Sequence, residues 1–291
     1  MSSSTNFFWY NSNTQKYEDL SNVLQIGPGT LSTPTRMFFG SNKTDLSSYF
    51  YFMNNPSYAP NPTKYYFGGV DLSLKATVTN NLIGAVKSSL YTNTSTITDG
   101  IDSGKTWNMS NASFNNTRKT VALTGSGSYI LFNNGGAMTN WSGTTLTLIV
   151  YYYRTVVGTG ACLFNINRSP SNIANEAKFS ENSYFDYDGT NYGLNFSFTD
   201  NGTNYPIGWM MYAFVKNGKT GTAYLNGVAN GTSTVATAVT LGNATINVGS
   251  DYRDSNSYLP GEIFFAGVWN TALSASNIVF MYKYLTNSRP Q

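Results

Sequence analysis

The sequence predicts an all-β protein: an antiparallel β-sandwich (jelly roll) with one short C-terminal helix and an extended N-terminal arm. Three observations carry this. Apolar and polar residues alternate with period two through many short segments. Turn-forming dipeptides such as Asn217-Gly218 and Asn226-Gly227 punctuate those segments. Only LSASNIVFMYKYLTN repeats its apolar residues at helical spacing.

The arm comes first. Of the 9 prolines, Pro28, Pro34, Pro56, Pro60 and Pro62 fall close together, among the aromatic bursts FFWY, YFYF and KYYF. Proline interrupts ladders and helices, while aromatic rings want burial. Residues 1–80 are therefore expected to form an aromatic, proline-rich extended arm or small anchoring region, and residues 81–291 the sandwich. In TLTLIVYYYR, Leu146, Leu148, Val150 and Tyr152 share one face and Thr147, Ile149, Tyr151 and Tyr153 the other. Both faces are apolar enough for a central strand. GWMMYAFVKNG places Trp209, Met211, Ala213 and Val215 together and ends in Asn217-Gly218, a type I′ hairpin signal. TGTAYL then turns at Asn226-Gly227. ATINVGS sets Ala244, Ile246 and Val248 against Thr245 and Asn247, and EIFFAGVWN sets Ile263, Phe265, Gly267 and Trp269 on one side. Ser274 caps the helix, whose stripe is Ile278, Met281, Tyr282 and Leu285.

Composition narrows the function. Hydrophobic residues make up 41% of the 291 and aromatics 15%, with 22 Tyr and 18 Phe, which supports a core. Charged residues are only 11%, against about a quarter in ordinary soluble domains. No run is long enough for a membrane helix. The net charge of +3 is spread thinly, with Arg118-Lys119 its densest point, so nucleic acid is not an expected partner. With 0 His, Ser-His-Asp and Cys-His machinery and His-based metal sites are excluded. Cys162, the 1 cysteine, sits among apolar neighbours and reads as a core residue.

The order from Trp209 through YLNGV, VGS and GEIFFAGVWNTALSASNI resembles the C-terminal half of a concanavalin A-like jelly roll of the laminin-G-like kind. Matching positions are Trp209, Tyr224, Asn226, Gly227, Gly249, Gly261, Ile263, Val268, Trp269, Asn270, Ala272, Leu273, Ser274 and Ile278. DGIDSGK and VALTGSGSYILF resemble the family's opening and an early strand, so the likeness spans about residues 90–287. Asn277 and Ala266 depart from the family, standing where acidic residues are common. The resemblance implies a concanavalin A-like sandwich, with carbohydrate or other ligands bound along one rim, sometimes through calcium.

Two loops carry the oxygen donors calcium takes. FDYDGTNYG has Asp186, Asp188 and Asn191, and SDYRDSNSY has Asp251, Asp254 and Asn256. Turn formation by Asp, Asn and Gly explains the same residues. Trp141, Tyr252 and Tyr258 lie in loop contexts and can stack on a pyranose, or pack at an edge or interface. Trp209 and Trp269 belong on strands and are expected in the core. Glucanases of this fold alternate carboxylates along one strand. Glu262 is isolated and Asp186 and Asp188 precede a turn, so a non-enzymatic role is expected. N-x-S/T triplets, as at Asn93, Asn108, Asn140, Asn195 and Asn243, arise by chance in so polar a chain.

MSSSTNFFWYNSNTQKYED lacks the basic and apolar regions of a secretory signal. An adhesin-like surface without disulfides then points to a particle made in the host cytoplasm and working outside it. The leading expectation is a virion structural protein, a minor capsid, spike or fibre component. Residues 1–80 would grip other capsid or spike subunits, with oligomerisation and surface glycans as further expectations. The alternative is a carbohydrate-binding adhesin without an assembly role, on the cell surface or secreted by a non-classical route.

Overall fold

The computed structural model describes residues 8–11, 16–19, 37–38, 66–67, 70–71, 78, 81–90, 95–124, 127–132, 143–156, 160–167, 176–187, 190, 192–197, 207–242, 244–251 and 254–289. The chain divides into two units, Met1–Ala76 and Thr77–Gln291. In the first unit, β1 (Phe8–Asn11), β2 (Lys16–Asp19) and β3 (Met37–Phe38) form an antiparallel sheet in the order β2-β1-β3. β4 (Tyr66–Phe67) pairs with β5 (Val70–Asp71). The FFWY and KYYF bursts thus supply strands, while YFYF lies outside the described residues.

The second unit runs β6 (Leu82–Lys87), β7 (Thr96–Thr98), β8 (Thr106–Ser110), β9 (Ala112–Asn115), β10 (Thr120–Leu123) and β11 (Tyr129–Phe132). It continues with β12 (Thr145–Arg154), β13 (Cys162–Asn167), β14 (Glu176–Ser180), β15 (Ser183–Tyr187) and β16 (Tyr192–Ser197). Then come β17 (Gly208–Asn217), β18 (Thr220–Leu225), β19 (Val228–Thr234), β20 (Thr245–Val248), β21 (Ser250–Asp251), β22 (Asp254–Tyr258), β23 (Gly261–Trp269) and α1 (Ala275–Ser288). The first sheet has the order β19-β18-β17-β12-β23-β10-β9, and β6 also pairs with β23. β10 meets Gly261–Ile263 and β6 meets Phe265–Trp269, so the two share one edge of β23 end to end. The second sheet is β16-β15-β14-β13-β20-β11-β8-β7, and β21 and β22 form a separate hairpin.

One apolar core fills the sandwich. Leu148, Val150, Tyr152, Tyr212 and Phe214 from the first sheet belong to the same buried cluster as Phe164, Ile166, Phe179, Ile246 and Trp107 from the second. Tyr184 of β15 stacks on Phe214 of β17 at 3.6 Å between ring centroids, joining the sheets directly. β12 is central and buried on both faces, as its sequence predicts, and Cys162 is buried.

Two buried ion pairs cross the core. Arg154, the last residue of β12, donates from Nη2 to Glu181 at 2.9 Å and to the Tyr212 hydroxyl at 2.8 Å. Glu181 also accepts from the Tyr152 hydroxyl and from the Ala161 amide. Lys216 of β17 donates to Asp186 of β15 and to the Val239 carbonyl. Lys216 pairs in register with Leu146 and Arg154 with Gly208, so the pairs stand roughly 27 Å apart along β12. Burial lifts the Asp186 carboxyl above its ordinary value, against the pull of the Lys216 charge and of the Leu194 amide and Tyr184 hydroxyl it accepts from. A carboxyl whose folded pKa is raised destabilises the fold as pH climbs from about 4, because the folded state holds its proton more tightly.

Local chemistry corrects two readings. The β17–β18 loop is Gly218-Lys219, with Gly218 at φ 59 and Asn217 still paired to Thr220. This puts glycine first in a two-residue turn, the type II′ pattern, one position on from the expected type I′. Asn226-Gly227 keeps the type I′ signature, with φ of 50 and 83. In β23, the register against β12 slips between Tyr151↔Phe265 and Tyr152↔Ile263, leaving Phe264 extra. This bulge turns Ile263 into the core while Phe265, opposite Tyr151, faces out, so the expected single face is broken.

α1 begins as predicted. Ser274 accepts from the Asn277 amide, and the Asn277 side chain accepts from the Ser274 amide at 3.2 Å. Asparagine thus completes the capping box where the family has an acid. The helix lies on the outer face of the first sheet: Thr286 accepts from the Tyr151 hydroxyl, and Arg289 donates to it.

Replacing Asp186 by Asn, or Lys216 by Met, leaves one buried charge unmatched. Either is expected to lower stability in urea unfolding by about 3–5 kcal/mol. Asp186→Leu combined with Lys216→Met is expected to come within about 1 kcal/mol of the parent or exceed it. Its stability relative to the parent should rise as pH increases through the raised Asp186 pKa.

Candidate functional site

The face of the second sheet that points away from the core carries an edge-to-edge row of side chains. In register, Asn195 pairs with Phe185, Phe185 with Lys178, and Lys178 with Asn165. Asn165 pairs with Asn247, Asn247 with Leu131, Leu131 with Asn108, and Asn108 with Thr96. Their sequence neighbours Leu194, Tyr184, Ala177, Ile166, Ile246, Ile130, Trp107 and Ile97 face the core, which fixes the row on the opposite face. Asparagine occupies four of the eight places.

The chain arches over this row. Gly249, at φ 87, ends β20, and β21 brings Asp251 over β13. Asp251 accepts from Asn165 Nδ2 at 3.1 Å and pairs with Lys178 Nζ at 2.9 Å. Both charges of the row's centre are therefore matched internally. The amide oxygens of Asn165 and Asn247 are buried and have no hydrogen-bond donor among the described residues. An acceptor left so costs about 1–3 kcal/mol, a cost that water or a ligand hydroxyl would relieve.

One step along, Tyr187 pairs with Tyr192 across β15 and β16, their ring centroids 4.6 Å apart. Tyr192 is 74% exposed, the most exposed large hydrophobic side chain among the described residues. It offers a bare aromatic face beside the polar row.

The residues expected from sequence fall unevenly around this site. Asp251 is in it. Asp186 is not a turn residue: it stands on β15, faces the core and holds Lys216, Tyr184 and the Leu194 amide. Asp254 begins β22 in register with Asp251, and its side chain lies outside the described set. Trp141, Asp188 and Tyr252 lie outside the described residues. Tyr258 is half-buried opposite Ser250. Trp269 is buried in full, whereas Trp209 is half-buried on the outer face of the first sheet, stacked on Tyr151. Among the described residues no group of three or more His, Cys, Asp or Glu is placed to hold a metal ion, and no helix is long and apolar enough to cross a membrane. Asn165, Asn247, Lys178, Tyr187 and Tyr192 were not singled out from sequence as ligands. The alternation in ATINVGS already set Asn247 opposite Ile246 and Val248.

The family model of the concanavalin A-like lectin/glucanases superfamily matches residues 124–279, more than half of the chain. Trypanosoma rangeli sialidase in complex with 2,3-difluorosialic acid is similar in structure, with 13% identity and TM-score 0.51 over 72% of this chain and 34% of the sialidase. A second Trypanosoma rangeli sialidase structure has 13% identity and TM-score 0.50, over 70% of this chain and 33% of that one. Domain 4 of an extracellular arabinanase from Geobacillus stearothermophilus, in complex with arabinotriose, has 15% identity and TM-score 0.47, over 68% of this chain and 97% of that one. At these identities the likeness is one of fold, and at 0.47 it carries no weight. The chain spans about a third of the length of the sialidases. Comparison with curated proteins gives no match.

Gly249→Ala is expected to lower stability by about 2–4 kcal/mol, from the strained φ and from a Cβ placed 2.2 Å from Leu123 Cδ1. Thermal unfolding measures it, and a loss below about 0.5 kcal/mol would contradict the strain argument.

Proposed function

The chain belongs to the concanavalin A-like lectin/glucanases superfamily, and from that premise we propose that the polar face of its second sheet recognises glycans without turning them over. The observation that carries this reading is the row of uncharged amides ending beside the exposed Tyr192. A pyranose needs an aromatic surface for its apolar face and hydrogen-bond partners for its hydroxyls. Tyr192 and Tyr187 supply the first, and the amide row supplies the second. The two asparagine oxygens that have no donor among the described residues are the acceptors that sugar hydroxyls would satisfy, once Asp251 moves aside.

The carboxylates favour binding over hydrolysis. A glycosidase needs one free acid and one free base or nucleophile across the scissile bond. Here Asp251 is engaged by Lys178, Glu181 by Arg154, Asp186 by Lys216, and Glu262 by Arg118. Asp99 accepts from three backbone amides and the Trp107 indole.

The wider setting we propose is a virus particle, with this domain displayed for assembly or host contact and residues 1–80 gripping neighbouring subunits. The low charge and the disulfide-free, aromatic chain support it. An adhesin without an assembly role is the alternative.

A glycan array run with the full chain, in calcium and again in chelator, tests recognition. Specific binding is expected, weakened about tenfold or more by Tyr192→Ala. Asn247→Leu is expected to weaken binding while leaving stability equal or higher, since it removes a buried acceptor without a donor. A blank array in both conditions, or release of sugar from a bound polysaccharide, would overturn the reading. For the setting, mass spectrometry of purified particles should find the chain at structural stoichiometry. Absence from them leaves the adhesin.

A further inference from the structure

The outer face of the first sheet carries a second surface of different chemistry. α1 covers part of that face and ends at Ser288. Beyond it, Trp209 lies stacked on the buried Tyr151, with centroids 5.3 Å apart and planes 11° from parallel. Tyr153 and Phe264 stand almost upright against the indole, at 81° and 86°, with centroids 5.6 and 6.1 Å away. Tyr153 is the cross-strand partner of Trp209, and the bulge in β23 delivers Phe264. Tyr151 is fully buried while Trp209, Tyr153 and Phe264 are each half-buried, so the indole forms the floor and the other two rings the walls.

Two guanidinium groups lie over these rings, and they differ. Arg118 sits 4.2 Å from the Tyr153 ring centroid and is neutralised by Glu262 at 2.7 Å. Arg289 lies over the Trp209 ring, 5.2 Å from its centroid, and donates to the Tyr151 hydroxyl at 2.8 Å. It meets no carboxylate among the described residues. Of its five N–H donors, that single bond engages one.

We propose that this surface is a binding site for a carboxylate-bearing saccharide. The sugar ring packs against the Trp209, Tyr153 and Phe264 rings, and its carboxylate pairs with Arg289. Phosphate recognition would call for clustered cations, and among the described residues of this surface one cation lacks a carboxylate partner. A peptide strand gains little, because β12 is paired on both sides by β17 and β23 and offers no free edge. A two-fold pairing of copies through this patch would set Arg289 against Arg289. The site is on the sheet opposite the amide row and is independent of it, and the two differ in the charge of what they take.

The test is isothermal titration of the full chain with three carboxylated saccharides: trigalacturonic acid, a hyaluronan tetrasaccharide and sialyllactose. Each is run beside its carboxyl-reduced counterpart. At least one acid is expected to bind, with its reduced form weaker by about tenfold or more. Arg289→Ala should weaken binding of that acid by a similar factor with an unchanged melting temperature, and added salt should weaken the parent. Trp209→Ala uncovers Tyr151 and can lower stability, so Trp209→Leu is measured as well, and both should lose binding while Asn165→Ala retains it. Equal binding of acid and reduced form, an Arg289→Ala variant that binds like the parent, or no binding of any of the three acids would overturn the proposal.

Discussion

Two cations on one sheet must find two carboxylates across the core, Asp186 on the other sheet and Glu181 in its β14–β15 turn, and the rest of the sandwich is built around that requirement. Arg154 and Lys216 point into the core from opposite ends of the β12–β17 pair, where an unmatched charge would cost several kcal/mol. Glu181 and Asp186 sit where they answer those charges only if β14 and β15 lie at one position across the sandwich. Apolar packing is tolerant of small slides, whereas an ion pair with extra hydrogen bonds is not. Tyr152, Tyr184 and Tyr212 add hydroxyls to the same networks, so each end of the core is bound by more than a single contact.

With the core closed this way, chemistry is left to the two outward faces. On the second sheet, alternation places Asn108, Asn165, Asn195 and Asn247 outward beside apolar neighbours, and antiparallel pairing lines them up with Leu131, Lys178 and Phe185. On the first sheet, α1 shields part of the outer face, and the bulge at Phe264 enriches what remains. The two surfaces do not compete for residues. One is built from amides and a matched charge pair, the other from rings and an arginine with no carboxylate partner among the described residues.

Local signals made much of this legible in the sequence. The period-two runs gave the strands, Ser274 and the Ile278 stripe gave the helix, and the YLNGV to ALS order gave the family. Asn226-Gly227 read correctly because both turn residues carry their own preference for positive φ. The misreadings share a cause. Gly218-Lys219 displaced Asn217-Gly218 because cross-strand pairing, not the dipeptide, set where the strand stopped. The bulge at Phe264 appears only when β23 is aligned with β12. Asp186 looked like a turn ligand beside Asp188, and its true partner, Lys216, lies thirty residues away. The amide row spans strands from Thr96 to Asn247 and has no local signature at all.

The place of β23 has a consequence for how the chain is made. It lies between β12 on one side and β6 with β10 on the other, so the first sheet stays in separate pieces until β23 is present. During synthesis, the 115 residues from Arg154 to Trp269 must still be added after β12 is complete. At usual translation speeds that interval is roughly 6 to 23 seconds. Throughout it, the edges of β6, β10 and β12 that β23 will cover have no native partner. Ribosome-bound intermediates of this chain are thus a natural clientele for chaperones, and slowing the ribosome near its end would lengthen their exposure.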